Sequence, residues 1–236
     1  MATQPTTGAI PHPRSNRTVE SRALESALLQ QTVQSMQETK TEPASQPTIG
    51  VRADIIDAAT RIFSERGYHA ASMAEIADAV GIRKASLYHH VRKKEDLLFA
   101  IHEALIDELI SETIAVSSSS ESPAEKVRGL LHVTMRFIAR NREGVTVFLS
   151  ERHAVTGERW QALVIKRDFY ERMVSQIISE GRSSGSFADL PPEIVTKALL
   201  GMANWGYTWF QQDGPLSADE VAEVFTAIAL RGLEAR

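Results

Sequence analysis

The stretch SMAEIADAVGIRKASLYHHVRKKEDLL, residues 72–98, decides the fold. Ser72 is followed three positions later by Glu75, which is the pattern of a capping box at the start of a helix. Gly81 then suits a tight turn, and beyond it Leu87 and Val91 lie one helical turn apart, so both can face a core. The pattern therefore predicts two short helices joined by a glycine turn, a helix-turn-helix unit.

The second of these helices is basic, although the chain as a whole is acidic. The formal net charge is −4, yet every charged residue from Arg83 to Lys94 is a cation. Binding to nucleic acid depends on Lys and Arg that neutralise phosphates, and a helix-turn-helix unit places its second helix in the major groove. The predicted contacts are Lys84, Ser86 and His89 with base edges, Tyr88 and Lys94 with phosphates, and Arg83 as part of the basic patch.

Helical patterns continue on both sides of this unit. Upstream, apolar residues recur at helical spacing from Ile55 to Phe63 and stop at Gly67, which completes a predicted three-helix head over residues 49–97. Residues 1–48 are rich in Thr, Ser, Gln and Pro, so we predict a flexible arm. Downstream, residues 98–236 show helical patterns and no convincing strand. The predicted helices there cover residues 94–116, 123–138, 157–181, 191–210 and 218–233, with an apolar patch at 145–149.

Composition excludes several functional classes. The chain has no cysteine, which excludes a thiol nucleophile, a disulfide framework and Cys-ligated metal sites. No stretch approaches the roughly 18 uninterrupted apolar residues of a membrane span, and the N-terminus lacks the pattern of a secretion signal. We therefore expect a soluble, cytoplasmic protein with no membrane partner, no cofactor and no metal site.

Residues 72–98 resemble the DNA-binding signature of the tetracycline-repressor (TetR) family. The resemblance implies that the partner is a double-stranded DNA operator. It also implies DNA contacts at the matching positions, which are Ser72, Lys84, Ser86, Tyr88, His89, His90 and Lys94. Residues 178–181, 185–187 and 205–216 are similar to a narrower group of these regulators, many of which respond to acyl-coenzyme A esters. That similarity implies a small-molecule effector, with an acyl-coenzyme A as the leading candidate.

The predicted effector site combines apolar walls with cations. Phe148, Phe169, Trp205 and Trp209 offer the walls, and Arg152 offers a cation for an anionic end of the ligand. Further candidate cations are Arg159, Lys166, Arg167 and Arg172. Alternatively, the aromatic residues are ordinary core or dimer packing and the cations cover a solvated helix face. A free acid or another hydrophobic molecule is the alternative to the thioester.

One recognition helix reads few base pairs, so we predict a homodimer. Its two heads would lie about one DNA turn, roughly 34 to 36 Å, apart on a palindromic operator. The last two predicted helices form the dimer contact, with Leu199 and Val224 in it. The predicted fold class is thus all-α, a three-helix helix-turn-helix DNA-binding head plus a helical ligand-binding and dimerisation domain. The predicted function is that of a ligand-responsive repressor.

Two other functions compete with this interpretation. A helical adaptor would bind protein partners through the N-terminal arm and the C-terminal helices, and it would show no preference for specific DNA. An enzyme finds little support, because residues 181–185 match G-x-S-x-G but follow a helix rather than a strand. His102 and Glu103 begin like a zinc-binding motif, but Ile106 stands where the second His is needed. We predict no catalytic site, and we place His102 on a helix surface.

Overall fold

The computed structural model describes residues 47–234, except for the side chains of residues 47–51 and Arg152. Over these residues the chain is helical, and its one pairing of β type is an isolated bridge between Phe187 and Glu234. The predicted all-α fold is confirmed. Within the same residues, no helix has both the length and the apolar character that crossing a bilayer requires. The arm predicted over residues 1–48 lies outside the described residues, apart from its last two.

The described residues form ten α-helices and one 3₁₀ turn. The first are α1 (Pro47–Arg66), α2 (Met73–Ala79), α3 (Lys84–His90) and α4 (Lys94–Ser117). The next are α5 (Pro123–Arg140), α6 (Arg142–Ser150), the 3₁₀ turn (Arg152–Ala154) and α7 (Gly157–Ser183). The last are α8 (Pro192–Asn204), α9 (Gly206–Trp209) and α10 (Ala218–Leu233).

Local chemistry fixes the boundaries of the head helices. Gly67 after α1 and Gly81 after α2 have φ values of 82° and 69°, a region that glycine enters without steric cost. The capping box predicted at the start of α2 is confirmed. Ser72 Oγ accepts a hydrogen bond from the Glu75 N–H at 3.2 Å, and Glu75 Oε2 accepts one from the Ser72 N–H at 2.8 Å.

A small apolar core holds the three head helices together. The buried side chains from α1, α2 and α3 include Ile55, Ala59, Phe63, Ile76, Ala77 and Leu87. Burying an aliphatic or aromatic side chain of this size stabilises the fold by about 1.5–3 kcal/mol. Helices as short as the seven residues of α2 and α3 are unstable alone, so this packing is what keeps them folded.

The central helix of the remaining structure is α5. It packs along α10 and also contacts α4, α7 and α8. Its buried apolar residues are Val127, Leu130, Leu131, Met135, Phe137 and Ile138. At the edge of the α5–α10 contact, Arg136 pairs with Asp219 and Arg128 with Glu223. These ion pairs are largely solvent-exposed, so apolar burial supplies most of the stabilisation here.

The apolar patch at 145–149 lies within the helix α6, where Val145 and Val147 are buried. Two sequence predictions are wrong in detail. The helix predicted over 191–210 is interrupted, because α8 ends at Asn204 and the chain turns at Trp205 into the short α9. His102, placed on a helix surface, is 1% exposed, because α6 packs against α4 and its Phe148 ring meets the imidazole.

The loop after α7 generates a prediction of stability. Phe187 is buried against α7, and a methyl group added at Gly181 would overlap its ring. We expect Gly181→Ala to lower the free energy of unfolding by about 1–3 kcal/mol, the usual cost of overpacking. Gly232→Ala is the matched control, because a methyl group there meets no atom within 4 Å. Urea unfolding measures both variants, and equal unfolding free energies would contradict the packing described.

Candidate DNA interface and effector site

The candidate DNA-reading surface is the outer side of α3. Leu87 and Val91 are buried and fix the helix against the head, as the sequence pattern predicts. The opposite side carries Arg83, Lys84, Tyr88 and His89 as exposed side chains, with Ser86 and His90 half-buried beside them. Most of the predicted DNA contacts are therefore brought together on one helix and its N-cap. Their amine, guanidinium, imidazole and hydroxyl groups are suited to phosphates and base edges.

Ser72, the remaining predicted contact of the head, is exposed at the N-cap of α2. Its oxygen accepts the Glu75 N–H, which leaves the hydroxyl proton available for donation to a phosphate oxygen. The neighbouring carboxylate of Glu75 pairs with Arg66 at 2.5 Å. Hydrogen bonds from Ser72, followed by the charge of Arg66, lower the pKa of Glu75. This acid is thus ionised but matched by partners within the head.

Lys94 holds the backbone of the head turn, which we define as residues 67–71 between α1 and α2. Its Nζ donates to the carbonyl oxygens of Tyr68 at 2.5 Å, Ala71 at 2.7 Å and His69 at 3.3 Å. The same ammonium lies 4.5 Å from the centre of the Tyr68 ring. An ammonium has three N–H donors, so all are used within the protein. A phosphate contact by Lys94 would need one of these bonds to be exchanged.

Glu151, the residue after α6, holds the head turn from a second direction. Its Oε1 accepts the Tyr68 N–H at 3.1 Å. Burial, together with the charges of Glu95 and Glu151, raises the pKa of Tyr68. No local pattern in the sequence predicts this contact of Glu151, because Tyr68 lies 83 residues away in the chain. The head turn is therefore tied to α4 through Lys94 and to α6 through Glu151.

A cavity of about 290 Å³ lies among α4, α5, α6, α7 and α8. Its apolar wall residues are Leu105, Ile106, Leu109, Phe137, Ile138, Val145, Phe148, Leu149 and Leu200. Its polar wall residues are Thr134, Arg167, Tyr170, Glu171, Lys197 and Asn204. Burial raises the pKa of Tyr170 to about 12, so this phenol stays protonated. The cavity is thus mostly apolar with a few polar groups, the usual character of a small-molecule site.

Of the predicted pocket residues, Phe148 lines this cavity and the structure places the other aromatic residues outside it. Phe169 is half-buried on another side of α7. Trp205 is 64% exposed and Trp209 46% exposed. The side chain of Arg152 lies outside what the structure describes. Phe169, Trp205 and Trp209, which were predicted as pocket walls, are therefore not wall residues of this cavity.

Two of the predicted effector cations join α7 to α4. Arg159 lies 2.6 Å from the carboxylate of Asp96. Lys166 Nζ lies 2.9 Å from oxygens of both Glu103 and Asp107. Charge-assisted hydrogen bonds of this length are among the stronger polar contacts in proteins. Using either cation to hold a ligand would cost part of the contact between α4 and α7.

Arg167 and Lys197 are the cations at the cavity, and both are held loosely. Arg167 lies 3.5 Å from Asp168 and 3.8 Å from Glu171, while Lys197 lies 3.7 Å from Glu171. These distances exceed those of good hydrogen bonds, so turning either side chain towards an anionic ligand costs little.

A smaller cavity of about 70 Å³ adjoins the first and shares Phe148, Leu149 and Arg167 with it. His102 lines this smaller cavity from α4, with its ring centre 5.0 Å from that of Phe148. Burial lowers the pKa of His102 to about 4, although a hydrogen bond to the backbone of Val147 acts in the opposite direction. The imidazole is therefore neutral at pH 7.

Comparison with known proteins identifies the family. The model of bacterial regulatory proteins of the tetR family matches residues 55–101, and the model of the tetracyclin repressor-like C-terminal domain matches residues 120–233. The TetR family transcriptional regulator PfmR from Thermus thermophilus is 30% identical, with a TM-score of 0.72 over 76% of this chain and 98% of its own. The chain belongs to the TetR family. The resemblance seen in residues 72–98 is thereby confirmed.

Two further relatives refine the comparison. The HTH-type transcriptional repressor KstR2 of Mycolicibacterium smegmatis is 29% identical over 83% of this chain and 94% of its own. The structure of AibR in complex with isovaleryl coenzyme A and operator DNA is 28% identical, with a TM-score of 0.70 over 75% of this chain and 97% of its own. The families and relatives are transcriptional regulators, so this TetR-family chain is a DNA-binding regulator and not an enzyme.

Two lysines of the head should respond differently to substitution. Lys84→Ala removes an exposed cation, so we expect weaker DNA binding with unchanged stability. Lys94→Ala also removes the bonds to the carbonyls of Tyr68 and Ala71, so it should lower the free energy of unfolding by about 1–3 kcal/mol. Urea unfolding and fluorescence anisotropy with DNA from the protein's own promoter, over a salt series, measure the two effects. Wild-type stability of Lys94→Ala would remove its structural role.

Proposed function

We propose that this TetR-family protein is a repressor that binds a palindromic operator as a homodimer and releases it when a small, largely apolar effector fills the 290 Å³ cavity. One observation carries the proposal. The helices α4 and α6 both line that cavity, and the head turn is held by Lys94 at the start of α4 and by Glu151 directly after α6. A molecule in the cavity therefore acts on the helices that position the DNA-reading head.

On the DNA side, the proposed roles follow from the exposed face of α3. Lys84, Ser86 and His89 reach base edges, with Lys84 suited to guanine. Arg83, Tyr88, His90 and Ser72 contact the sugar-phosphate backbone and fix the register. Lys94 supports these contacts by positioning the head turn. We propose that the head covers residues 49–97, and that the effector and dimer functions belong to the residues after it.

The proposed dimer contact is an exposed apolar face on α8 and α10. It consists of Ile194, Ala198 and Gly201 on α8, of Trp205 directly after α8, and of Val224, Ala227 and Ile228 on α10. All are exposed, and their spacing places them on one side of each helix. Leu199, which the sequence analysis put in this contact, is 4% exposed and packs in the protomer's own core. Val224 is 51% exposed and fits the contact. Apolar faces of this kind favour burial against a second copy.

The proposed effector is an acyl-coenzyme A or a related apolar molecule with an anionic end. The cavity volume suits the acyl group and not the whole coenzyme, so the nucleotide would lie outside the apolar walls. Arg167 and Lys197 line the cavity, and their ion pairs are long, at 3.5 and 3.7 Å. The complex of the related AibR with isovaleryl coenzyme A supports this choice of ligand. A free acid or another hydrophobic compound is the alternative.

Release of DNA follows if the effector binds the DNA-incompetent conformation more tightly than the competent one. In the proposed mechanism, a ligand between Leu105 on α4 and Phe148 on α6 shifts these helices relative to each other. The hydrogen bonds of Lys94 and Glu151 to the backbone of Tyr68 then displace the head turn. The head rotates, and the spacing between the two recognition helices of the dimer no longer matches the operator.

The dimer assignment is tested with a charge in the apolar face. Val224→Glu should yield monomers in analytical ultracentrifugation and lower operator affinity at least tenfold, because a buried unpaired carboxylate is costly. Ala115→Glu, the same charge at an exposed position of α4, is the matched control and should remain dimeric. Tight operator binding by a proven monomer would contradict the assignment.

The effector assignment is tested by a thermal-shift screen of acyl-coenzyme A esters against their free acids, combined with anisotropy on promoter and random DNA. We expect the thioesters to raise the melting temperature and to release promoter DNA. Glu151→Ala should still bind the effector but release DNA less completely, whereas Glu143→Ala, which removes an exposed acid from the same helix, should behave as wild type.

Each outcome of that screen addresses one part of the proposal. Equal affinity for promoter and random DNA would refute the repressor. Another ligand that acts where all thioesters fail would refute the acyl-coenzyme A. Complete release of promoter DNA by the Glu151→Ala variant when the effector is added would refute the proposed coupling between the cavity and the head turn.

A further inference from the structure

His102 is a buried polar side chain that the proposed function leaves unused. It lies on α4 with 1% exposure, and its Nε2 has no hydrogen-bond partner among the described residues. Buried polar atoms in proteins are nearly always paired, because leaving one unpaired costs free energy. An unpaired atom in the wall of a cavity therefore needs a partner that enters the cavity.

The state of the ring determines what kind of partner is missing. His102 makes a hydrogen bond to the backbone of Val147, and since Nε2 is unpartnered, the donor in that bond is Nδ1–H. A neutral imidazole carries one proton, and a pKa of about 4 keeps the ring neutral. With that proton on Nδ1, Nε2 presents a lone pair. The missing partner is therefore a hydrogen-bond donor.

The surroundings of His102 indicate where that donor comes from. The other residues that line the cavity of about 70 Å³ are Trp160, Leu163 and Val164, together with Phe148, Leu149 and Arg167, which also line the larger cavity. A water molecule takes up roughly 30 Å³ in the liquid, so this volume holds a small polar group and the carbon that bears it. Arg167, the other polar residue of this lining, can donate a hydrogen bond but cannot accept one, so His102 is the acceptor that the lining side chains offer.

We propose that the 70 Å³ cavity is a subsite of the effector pocket, in which His102 Nε2 accepts a hydrogen bond from a hydroxyl group on an otherwise apolar effector. This inference rests on the proposed function, because the body of the effector occupies the larger cavity. Phe148 turns aside to admit the hydroxyl end. The effector class is thus narrowed from apolar molecules to hydroxylated apolar molecules.

The test uses alcohols and their methyl ethers, which keep the oxygen but lose its proton. Isothermal titration calorimetry on the full chain compares 1-octanol and cyclohexylmethanol, each with its methyl ether. We expect the wild type to prefer each alcohol by about five- to tenfold, the usual effect of one hydrogen bond. His102→Phe should abolish this preference, because it removes the acceptor and keeps an aromatic ring. His153→Phe, the same change at an exposed position, should retain it.

A measurement on the wild-type protein makes the result independent of how the variant folds. In ¹⁵N-histidine-labelled protein, each alcohol should shift the Nε2 resonance of His102, and each ether should leave it in place. Equal binding of alcohols and ethers, a preference that survives in His102→Phe, or no binding of either class overturns the subsite. Alcohols that bind with the expected preference while the operator stays bound would support the subsite and refute the proposed regulation instead.

Discussion

The position of the DNA-reading head depends on how the backbone of residues 67–71 is held. A turn between two helices leaves carbonyl and N–H groups without partners in regular structure, and these groups must be satisfied when they are removed from water. Here charged side chains satisfy them, since Lys94 donates to three carbonyls and Glu151 accepts the Tyr68 N–H. Hydrogen bonds to charged groups are stronger than neutral ones. The head is thus fixed by contacts that come from two other helices.

Both of those helices also form the cavity wall, which gives the fold its regulatory potential. Leu105 lies eleven residues beyond Lys94 on α4, a distance of about 16 Å along a rigid helix. A small tilt of α4 at the cavity therefore becomes a larger displacement at its first turn. Because α6 ends one residue before Glu151, a ligand in the cavity would act on the head turn by a second route in the proposed mechanism. Packed helices respond to a ligand by moving as units, since their cores deform little.

Local signals in the sequence were sufficient to predict the helices of the DNA-binding head. The features that the sequence did not predict depend on contacts between residues that are far apart in the chain. The Ser72–Glu75 box, the turn at Gly81 and the Leu87–Val91 pair depend only on neighbouring residues, and all three are present in the structure. The burial of His102 is different, because it is imposed by Phe148 on α6, a helix that is distant in the sequence. Trp205 and Trp209 were predicted either as pocket walls, which the family resemblance favours, or as core and dimer packing. Trp205 lies four positions after Gly201 and continues the exposed side of α8, so its outward direction follows the helical period.

The described pocket separates two kinds of recognition that the sequence could not distinguish. Among the predicted effector cations, Lys166 and Arg159 lie outside the cavity and are bound closely to carboxylates of α4, whereas Arg167 lines the cavity and has more distant partners. Cations that lie close to a carboxylate thus stabilise the packing of helices, whereas a cation whose carboxylates are distant is available for a ligand. An anion at Arg167 would be partly exposed and sensitive to salt. His102, by contrast, is buried and neutral over the physiological pH range, so a bond to it depends on the shape and donor position of the ligand. In the proposed complex, the charged end of the effector is attracted to Arg167. The hydrogen bond between its buried end and His102 would determine which ligands bind.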